Sequence, residues 1–235
     1  MINKIDGKPI IIRYTDIDDT VFDTSQFRSD MTDALSDDKA QEINREIDKY
    51  RKLLGTSALV PFVDMFGEEK ESIDNKLDRK KYIYEDAQRY FSKKFIGAYA
   101  VVDALLTTGK ETNQEFKRKN TILEQLPMVT INTKDKIDYI CSMRNAIGQY
   151  QYRQPGSSEI ITAEKCIMVD DKLDNFMSMD FNDFYDVENL SGFTGFHIDR
   201  YNKHSYDIAA GLPEVIHPIH TLDHVTLYIS HMDMD

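Results

Sequence analysis

The sequence predicts an α/β fold, in which a parallel β-sheet wound with helices is interrupted by a helical insertion. Two features of the chain favour this fold class. Short apolar runs that each end in polar residues are typical of buried parallel strands. Between the first two runs lies a block of about 100 residues with helical periodicity over most of its length. A chain of 235 residues is long enough to bury one core and to carry such an insertion.

The predicted strands begin near the N-terminus. Residues 10–15 (IIIRYT) are rich in β-branched side chains and precede the polar cluster DIDDT. Residues 128–132 (MVTIN) and residues 166–169 (CIMV) are similar, and two aspartates follow the second of these runs. Residues 193–198 are a fourth candidate strand, and residues 150–153 are a weaker fifth. We therefore expect strands that alternate with helices or loops.

The block between the first two strands predicts three helices. In residues 36–54 the apolar side chains are spaced three or four positions apart, and the rest of the surface is charged. The same spacing continues through residues 87–106 up to Gly109, a residue typical of helix C-termini. Thr112 and Glu115 have the spacing of a capping box, which indicates the start of a last helix.

These elements predict a domain organisation with one insertion. Residues 24–125 form a helical cap, and residues 1–23 and 126–235 form the α/β core that carries it. After the second strand, Thr133 is expected to cap the next core helix, in which Ile137 is one of the apolar positions.

The chain is acidic, with a formal net charge of -12 and a pI near 5.0. This charge repels a nucleic-acid backbone and an anionic membrane surface, so neither is an expected partner. Residues 79–81 and 117–119 are two basic clusters that oppose the overall charge. We interpret them as solvated helix faces, which is the usual situation of charge runs.

The cellular compartment is predicted from the N-terminus and the cysteines. Residues 10–12 are the apolar run nearest the N-terminus, and they are too few for a signal-peptide core or for a membrane span of about 20 residues. Cys141 and Cys166 lie far apart in apolar stretches, as buried free thiols do in a reducing compartment. We expect a cytoplasmic protein without a disulfide bond.

Reactive side chains follow the three best predicted strands. Asp16 and Asp18 follow the first, Thr133 the second, and Asp170 and Asp171 the third. Because ligands of wound parallel sheets bind at the carboxyl ends of the strands, these side chains are expected to converge. Aspartate also follows strands as a turn former, but three such strand ends together favour a site. Four clustered carboxylates repel one another unless a cation offsets them, and oxygen ligands favour Mg²⁺. The four aspartates are therefore the predicted metal ligands.

Residues 11–21, IIRYTDIDDTV, resemble the first motif of the haloacid dehalogenase-like superfamily, an apolar strand followed by Asp-x-Asp-x-Thr. The resemblance implies a Rossmann-like parallel sheet core with an inserted α-helical cap. It also implies that Asp16 is a nucleophile that forms an aspartyl phosphate, and that Asp18 is the general acid and base. The acid at position 18 indicates phosphoryl transfer, because the dehalogenase branch lacks one there.

Two further motifs of this superfamily have counterparts. The second motif is a Ser or Thr that closes the next core strand and binds the phosphoryl group. Thr133 is the better match, and Thr130 is the alternative. The fourth motif, an apolar strand that ends in paired acids, resembles CIMVDDKLDN. This match implies that Asp170 and Asp171 complete the Mg²⁺ site.

The third motif is where the sequence departs from the superfamily. That motif is a Lys, or sometimes an Arg, which offsets charge on the nucleophile and the phosphate. Lys165 begins the strand that ends in Asp170, and four residues at about 3.3 Å each would place it about 13 Å from the acidic end. Arg153, at the exit of the weak strand 150–153, is on the correct side and is the preferred candidate.

The resemblance covers nearly the whole chain and implies a Mg²⁺-dependent phosphomonoester hydrolase. A cap of this size suits a small phosphorylated metabolite, with a nucleotide as the first expected class and a sugar phosphate as the second. One alternative, a phosphatase for nucleic-acid ends or phosphoproteins, is disfavoured by the acidic charge. Another is a catalytically silent binding protein, which the presence of Asp16, Asp18 and Asp170 disfavours.

The aromatic residues of the cap are expected to be mainly core, with a stacking platform as the alternative: Tyr82, Tyr84, Tyr90, Phe91 and Tyr99.

Overall fold

The computed structural model of the protein describes residues 1–54, 63–131, 136–176, 190–201 and 214–232. The chain forms two compact units. We call the first the sheet unit; it comprises Met1–Val21, Tyr84–Thr108 and Leu126–Asp235. We call the second the helical unit; it comprises Phe22–Ile83 and Gly109–Gln125.

The strands of the described residues are, in chain order, β1 (Lys4–Ile5), β2 (Lys8–Thr15), β3 (Phe95–Ile96), β4 (Tyr99–Thr107), β5 (Met128–Thr130), β6 (Tyr150–Tyr152), β7 (Ile161–Ala163), β8 (Lys165–Asp170), β9 (Phe193–Ile198) and β10 (Ile216–Ile219). The helices are α1 (Thr24–Ala34), α2 (Asp37–Leu54), α3 (Lys70–Lys76), α4 (Glu85–Ser92), α5 (Glu111–Arg118), α6 (Lys136–Ser142) and α7 (Asp223–His231). Short 3₁₀ segments lie at Val63–Glu69, Arg79–Tyr82, Ile122–Gln125 and Leu173–Phe176. Within the described ranges, no helix combines the length and the apolar character that a membrane span requires.

Over the described residues, eight strands of the sheet unit form one sheet in the order β10-β9-β8-β2-β4-β3, with β1 beside β2 and β5 beside β4. The long strands run parallel to one another, and only the short β1 and β3 pair antiparallel. The predicted α/β fold with a mostly parallel sheet is therefore confirmed. The weak predicted strand at residues 150–153 corresponds to β6, which pairs with β7 in a separate two-stranded sheet.

The central strand β2 is buried on both faces, as strands of a covered parallel sheet are. Tyr14 belongs to a core cluster that also contains Ile137 of α6. Arg13, the preceding residue, points to the opposite face because side chains alternate along a strand. There its Nε donates to Asp103 Oδ1 of β4 at 2.6 Å, and its guanidinium carbon lies 3.6 Å from the centroid of the Tyr90 ring of α4.

Strand β4 corrects the sequence interpretation of residues 87–106 as one helix. The helix α4 ends at Ser92, and β4 then pairs in parallel with β2, so that Leu105 lies beside Thr15. The run YAVVDALLT is apolar at almost every position because both faces of β4 are covered. Such a run lacks the alternation of a half-exposed strand, and its apolar residues also satisfy helical spacing.

The predicted domain boundaries require a matching correction. Residues 84–108, predicted as part of the cap, belong to the sheet unit because they contain β4. The helical unit consists of two separate stretches of the chain on either side of that segment. The predicted helix at residues 36–54 is confirmed as α2, and the predicted last helix corresponds to α5, which begins at Glu111 and ends at Arg118.

The helical unit is built around aromatic side chains. Phe27 of α1 lies 5.0 Å from Phe22 and 5.1 Å from Tyr82, measured between ring centroids. Phe116 of α5 joins this group at 6.2 Å from Phe27. Asp23 caps α1 by accepting a hydrogen bond from the main-chain N–H of Gln26 at 2.9 Å.

The two basic clusters are only in part the solvated helix faces that we predicted, since Lys80, Lys81 and Lys119 are exposed. Arg79, Lys117 and Arg118 are buried within the helical unit. Arg79 donates to the carbonyl of Phe116 at 2.6 Å and also pairs with Asp74. These buried cations therefore have partners inside the helical unit, because buried charges require hydrogen bonds.

Candidate active site

The ends of β2 and β8 place two carboxylates side by side. Thr15 lies beside Val169 in the parallel ladder, so the residues that follow, Asp16 and Asp170, are adjacent at the carboxyl edge. The main-chain N–H of Asp16 donates to the carbonyl of Val169 at 2.9 Å, which fixes the start of the loop after β2. Both carboxylates are buried, at 6% and 0% exposure.

Lys136 lies between these two carboxylates. Its Nζ donates to Asp16 Oδ1 at 2.5 Å and to Asp170 Oδ2 at 2.6 Å. Lys136 is the first residue of α6 and is 1% exposed. Desolvation by burial lowers its pKa, but the charges of Asp16 and Asp170 outweigh this effect and raise the pKa above its usual value. The lysine therefore stays charged and offsets part of the negative charge of the site.

Asp171 completes a group of three carboxylates. One oxygen from each of Asp16, Asp170 and Asp171 lies within 4.8 Å of the others. Among the described residues, no group donates a hydrogen bond to Asp171 Oδ1, although this oxygen is buried. A buried oxygen that accepts no hydrogen bond destabilises the folded state unless a cation or a further donor binds it.

Burial and the neighbouring carboxylates change the pKa values of the acids in this group. Burial, partly opposed by Lys136, raises the pKa of Asp16 to about 6, with further contributions from Asp170 and Asp18. Burial and the charges of Asp170 and Asp16 raise the pKa of Asp171 to about 8. Burial is the largest cause of both shifts, and the neighbouring carboxylates add to it.

Main-chain and amide donors orient Asp170. Its Oδ1 accepts from the main-chain N–H of Lys172 at 2.9 Å and from Asn175 Nδ2 at 2.8 Å. His197 of β9 donates from Nε2 to the carbonyl of Asp171 at 3.0 Å. The turn after β8 is thus held on both sides, which fixes the acids that it carries.

Asp18 belongs to the same loop as Asp16 but not to the group of three carboxylates. It is half-buried, and its charge contributes to the raised pKa of Asp16. The structure therefore brings together three of the four predicted metal ligands, with Asp18 as a neighbour.

The predicted third-motif residue requires a correction. Arg153 is exposed and follows β6 of the separate two-stranded sheet, whereas the cation in contact with Asp16 is Lys136. Lys165 lies with its Nζ 5.4 Å from the ring centroid of Tyr99, the first residue of β4, and so belongs to the amino edge, as the strand-length argument requires. Lys136 had a signal in the sequence, because the predicted helix after Thr133 starts at the carboxyl edge and includes it.

The structure describes only one of the two threonines that were predicted for the second motif. Thr133 lies outside the described residues, and Thr130 closes β5, which pairs with β4 and not with β2. The next core strand after β2 is β4, and its last residue is the buried Thr107. Thr107 thus has the position that the resemblance assigns to the phosphoryl-binding hydroxyl. The signal was the sequence LLTTG, which the helical interpretation of residues 87–106 concealed.

Comparison with known proteins gives a structural likeness. No model of a protein family and no curated protein sequence matches the chain. A haloacid dehalogenase-like hydrolase from Burkholderia xenovorans LB400 is similar at a TM-score of 0.56 and 14% identity, over 95% of this chain and 98% of that one. Two further structures are similar at lower TM-scores. A haloacid dehalogenase-like family hydrolase from Xanthomonas campestris gives 0.47 at 13% identity, over 95% of this chain and 96% of that one. Magnesium-bound YfnB from Bacillus subtilis gives 0.44 at 13% identity, over 96% of this chain and 100% of that one.

Of these three structures, the Burkholderia protein alone exceeds a TM-score of 0.5, and the fold assignment depends on it. Its match extends over both chains almost completely, and the strand ends of this chain carry the acids that the sequence motifs predict. At 14% identity the likeness concerns the fold and not the reaction. The protein therefore has the haloacid dehalogenase-like fold.

Proposed function

We propose that the protein is a Mg²⁺-dependent phosphomonoester hydrolase in which Asp16 attacks phosphorus. The observation that carries this proposal is the contact of Asp16 with Lys136, beside Asp170 and Asp171 at the end of β8. A buried carboxylate that is held by an ammonium group and adjoins cation ligands is suited to attack an anionic group. The positive charges offset both the nucleophile and the substrate.

The donor set fits a magnesium ion. The three carboxylates are hard oxygen ligands, which Mg²⁺ prefers, and Asp171 Oδ1 lacks a hydrogen-bond donor among the described residues. Asp16, Asp170 and Asp171 would hold the ion, and Asp18 adjoins them. A bound Mg²⁺ ion would offset negative charge on the phosphoryl oxygens during the reaction.

In the first step, a carboxylate oxygen of Asp16 forms a bond to phosphorus, and the bond between phosphorus and the ester oxygen breaks. The departing oxygen takes a proton from Asp18, which lies two residues further along the same loop. Lys136 favours the carboxylate form of Asp16 through the hydrogen bond to Oδ1. This step yields the free alcohol, an aspartyl phosphate at Asp16 and an ionised Asp18.

In the second step, water attacks the phosphorus of the aspartyl phosphate. The ionised Asp18 accepts a proton from that water, and the bond between phosphorus and Asp16 breaks. Inorganic phosphate leaves, Asp16 returns to the carboxylate form, and Asp18 is protonated again. The acid at position 18 supports phosphoryl transfer over dehalogenation, in accordance with the motif resemblance.

The proposed substrate is a small phosphorylated metabolite, with a nucleotide first and a sugar phosphate second. The net charge of -12 disfavours nucleic acid, and the two basic clusters that opposed it contribute buried side chains to the helical unit.

We also propose a cytoplasmic location. The free thiols of Cys141 and Cys166 support a reducing compartment.

The test measures phosphate release by the full chain with Mg²⁺ or with EDTA. The panel contains nucleoside monophosphates, sugar phosphates, para-nitrophenyl phosphate, a phosphopeptide and an oligonucleotide with a terminal phosphate. We expect release from small esters with Mg²⁺ alone. Chloride release from a 2-haloacid without phosphatase activity would establish a dehalogenase. Tight binding of a phosphorylated ligand without turnover would establish a silent binding protein.

Replacement of Asp16 by Asn tests the nucleophile. We expect Asp16→Asn to abolish turnover and to leave the melting temperature equal or higher. The raised pKa of Asp16 shows that its charge is unfavourable in the folded state without metal. Acid quenching during turnover should trap a phosphorylated wild-type chain and an unmodified variant. Phosphatase activity that survives in the variant would refute the assignment of the nucleophile.

A further inference from the structure

Arg200 lies at the same edge of the sheet as the candidate active site. It follows β9 by two residues, and the pairing of β8 with β9 places His197 beside Asp170. The guanidinium group donates twice to the carbonyl of Thr20, from Nε at 3.0 Å and from Nη2 at 2.7 Å. Thr20 belongs to the loop that carries Asp18, so an arginine from another strand holds the main chain of this loop.

The loop after β2 has a conformation that needs support. Asp19, directly after Asp18, has a φ of 56°, which lies in the left-handed region that non-glycine residues rarely adopt. The hydrogen bond from Asp16 N to Val169 O anchors the start of the loop. Arg200 anchors its end. The main chain of Asp18 is therefore fixed between two contacts, one with β8 and one with the segment after β9.

Asp86 and Tyr84 in turn hold the guanidinium group. Arg200 Nη1 donates to Asp86 Oδ2 at 2.8 Å, and its guanidinium carbon lies 4.1 Å from the centroid of the Tyr84 ring. The same oxygen of Asp86 accepts from the main-chain N–H of Leu222 at 2.8 Å. The Arg200 and Asp86 side chains are 9% and 7% exposed, so solvent screens their attraction little. A lysine at position 200 would lack the planar set of donors that makes these contacts together.

From these contacts we infer that Arg200 is a positioning residue for Asp18, an inference that rests on the proposed phosphatase function. Arg200 fixes the main chain two residues after Asp18. Without it, Asp19 can leave the left-handed region, and the Asp18 carboxyl group loses its orientation toward the departing oxygen. Proton donation then suffers more than the attack by Asp16, which Lys136 still holds.

This difference predicts a dependence on the leaving group. An alkyl phosphate needs a proton on its departing oxygen, whereas para-nitrophenolate leaves without one. In Arg200→Lys we expect kcat/KM to fall about tenfold or more for an alkyl phosphate, and at most about threefold for para-nitrophenyl phosphate. A loss that is only structural would lower both values by the same factor.

A second measurement does not depend on activity. The main-chain N–H of Val21 donates to Ile17 O at 3.2 Å, and that of Tyr84 donates to Val21 O at 3.2 Å, so both amides report on the Thr20 end of the loop. In Arg200→Lys we expect their hydrogen exchange to accelerate about tenfold or more relative to the amides of β8.

Two further variants guard against misfolding and non-specific effects. The double variant Arg200→Met with Asp86→Asn removes both charges of the buried pair, so that no unpaired charge prevents folding. Arg89→Ala is the matched control, because Arg89 is an exposed arginine of α4 that pairs with Asp223 of α7 but makes no contact with the loop after β2 in the described residues. We expect the double variant to behave as Arg200→Lys does, and Arg89→Ala to behave as wild type.

The outcomes separate the inference from the proposed function. Exchange at Val21 and Tyr84 that equals wild type in both Arg200 variants overturns the inference, whatever the activity. Faster exchange with an equal loss for both esters also overturns it, because the role is then structural. A wild-type protein that hydrolyses no phosphate ester refutes the proposed function. The exchange measurement alone then decides whether Arg200 holds the loop.

Discussion

Three carboxylates and one ammonium group share a buried site at the carboxyl edge of β2 and β8. Lys136 contacts two of the acids, and the pKa of Asp16 nevertheless stays above its usual value. At the scale of single residues, Lys136 alone therefore does not neutralise the acids. A bound cation or a proton would complete the neutralisation. It makes Lys136 and Asp171 the residues whose replacement is most informative.

The first prediction concerns Lys136. Replacement of Lys136 by Met leaves Asp16 and Asp170 buried without their cation, and breaking such a contact costs about 3–5 kcal/mol. We expect Lys136→Met to lose phosphatase activity and to unfold at lower urea concentration in EDTA. Added Mg²⁺ should restore part of the stability, because the cation replaces the missing charge.

Arg153→Ala is the control for this prediction, since Arg153 was the cation that the sequence favoured. Arg153 is exposed, so we expect kcat to stay within about twofold and stability within about 0.5 kcal/mol. A variant of Arg153 that loses activity, beside an active Lys136→Met, would reverse the assignment.

The second prediction concerns Asp171 and pH. Burial and neighbouring acids raise the pKa of Asp171 from its usual 3.8 to about 8 in the folded state. Between these values the folded chain keeps a proton that the unfolded chain releases, so stability falls as pH rises, by up to about 1.4 kcal/mol per pH unit. Urea unfolding in EDTA should show this decline from about pH 5 to about pH 8.5. Mg²⁺ should stabilise the protein most at the alkaline end.

Asp171→Asn should remove much of this decline, because the amide carries no proton to lose. The wild type and the variant are compared at the same urea range and the same ionic strength. Parallel stability profiles for the two proteins would show that Asp171 does not titrate as predicted.

At the scale of secondary-structure elements, the neighbours of β2 decide which side chains reach the site. Strand β8 lies on one side of β2 and supplies Asp170. Strand β4 lies on the other side and ends in Thr107 and then Thr108, at the same edge as Asp16. Strand β5, which ends in Thr130, is separated from β2 by β4. The geometry therefore favours a hydroxyl from β4 as the phosphoryl-binding group.

The third prediction tests this placement. Replacement of Thr107 by Val keeps the side-chain shape but removes the hydroxyl. Loss of one hydrogen bond to a charged group costs about 1.5–3 kcal/mol, so we expect kcat/KM to fall roughly 10- to 100-fold. Steady-state kinetics with para-nitrophenyl phosphate measure the effect.

Thr130→Val and Thr133→Val are the matched comparisons, because both threonines were the candidates of the sequence. We expect near wild-type kinetics for Thr130→Val, whose hydroxyl lies on β5. A large loss in either comparison variant, with an active Thr107→Val, would return the second motif to the segment after Pro127.

At the scale of the whole molecule, the helical unit consists of two stretches of chain, and β4 lies between them in sequence. A deletion that joins Asp23 to Glu124 therefore removes β4 together with the helices. This strand is buried against β2, so the remaining sheet would lose a central member. The domain boundaries predicted from the sequence, with a cap at residues 24–125, imply instead that such a deletion leaves the core intact.

The fourth prediction compares two deletions. In the described structure, Val21 O and Tyr84 N lie 3.2 Å apart, so a short Gly-Ser link can replace Phe22–Ile83. A longer flexible link replaces Gly109–Gln125. We expect this variant to fold, to retain slow hydrolysis of para-nitrophenyl phosphate, and to lose preference among natural esters, because it lacks the helical cap that the sequence predicts to suit the substrate.

The deletion from Asp23 to Glu124 should not fold cooperatively, as judged by circular dichroism and thermal melting. If it folds and turns over as well as the two-segment deletion, β4 is dispensable and the assignment of the sheet unit is wrong. If the two-segment deletion keeps full substrate preference, the helical unit does not select substrates.

The sequence by itself determined the acidic half of the site. Asp16 and Asp170 each follow a short apolar strand, and parallel strands bring their carboxyl ends to one edge of a sheet. This inference needs only local patterns and one general rule of topology. For the same reason the α/β fold class was readable from short β-branched runs that end in polar residues.

Only the tertiary structure decided which other residues belong to the site beside the acids. Lys136 lies 120 residues from Asp16, and its place at the start of a predicted helix at the carboxyl edge did not by itself show that it contacts Asp16. The strand β4 is covered on both faces, so its sequence fits a helix and a strand equally, and the ladder with β2 selects the strand. The position of Thr107 depends on the pairing of β4 with β2, and the position of Arg200 depends on where β9 ends. Contacts between distant segments depend on which strands become neighbours, and burial and hydrogen bonding settle that choice only when the whole sheet forms.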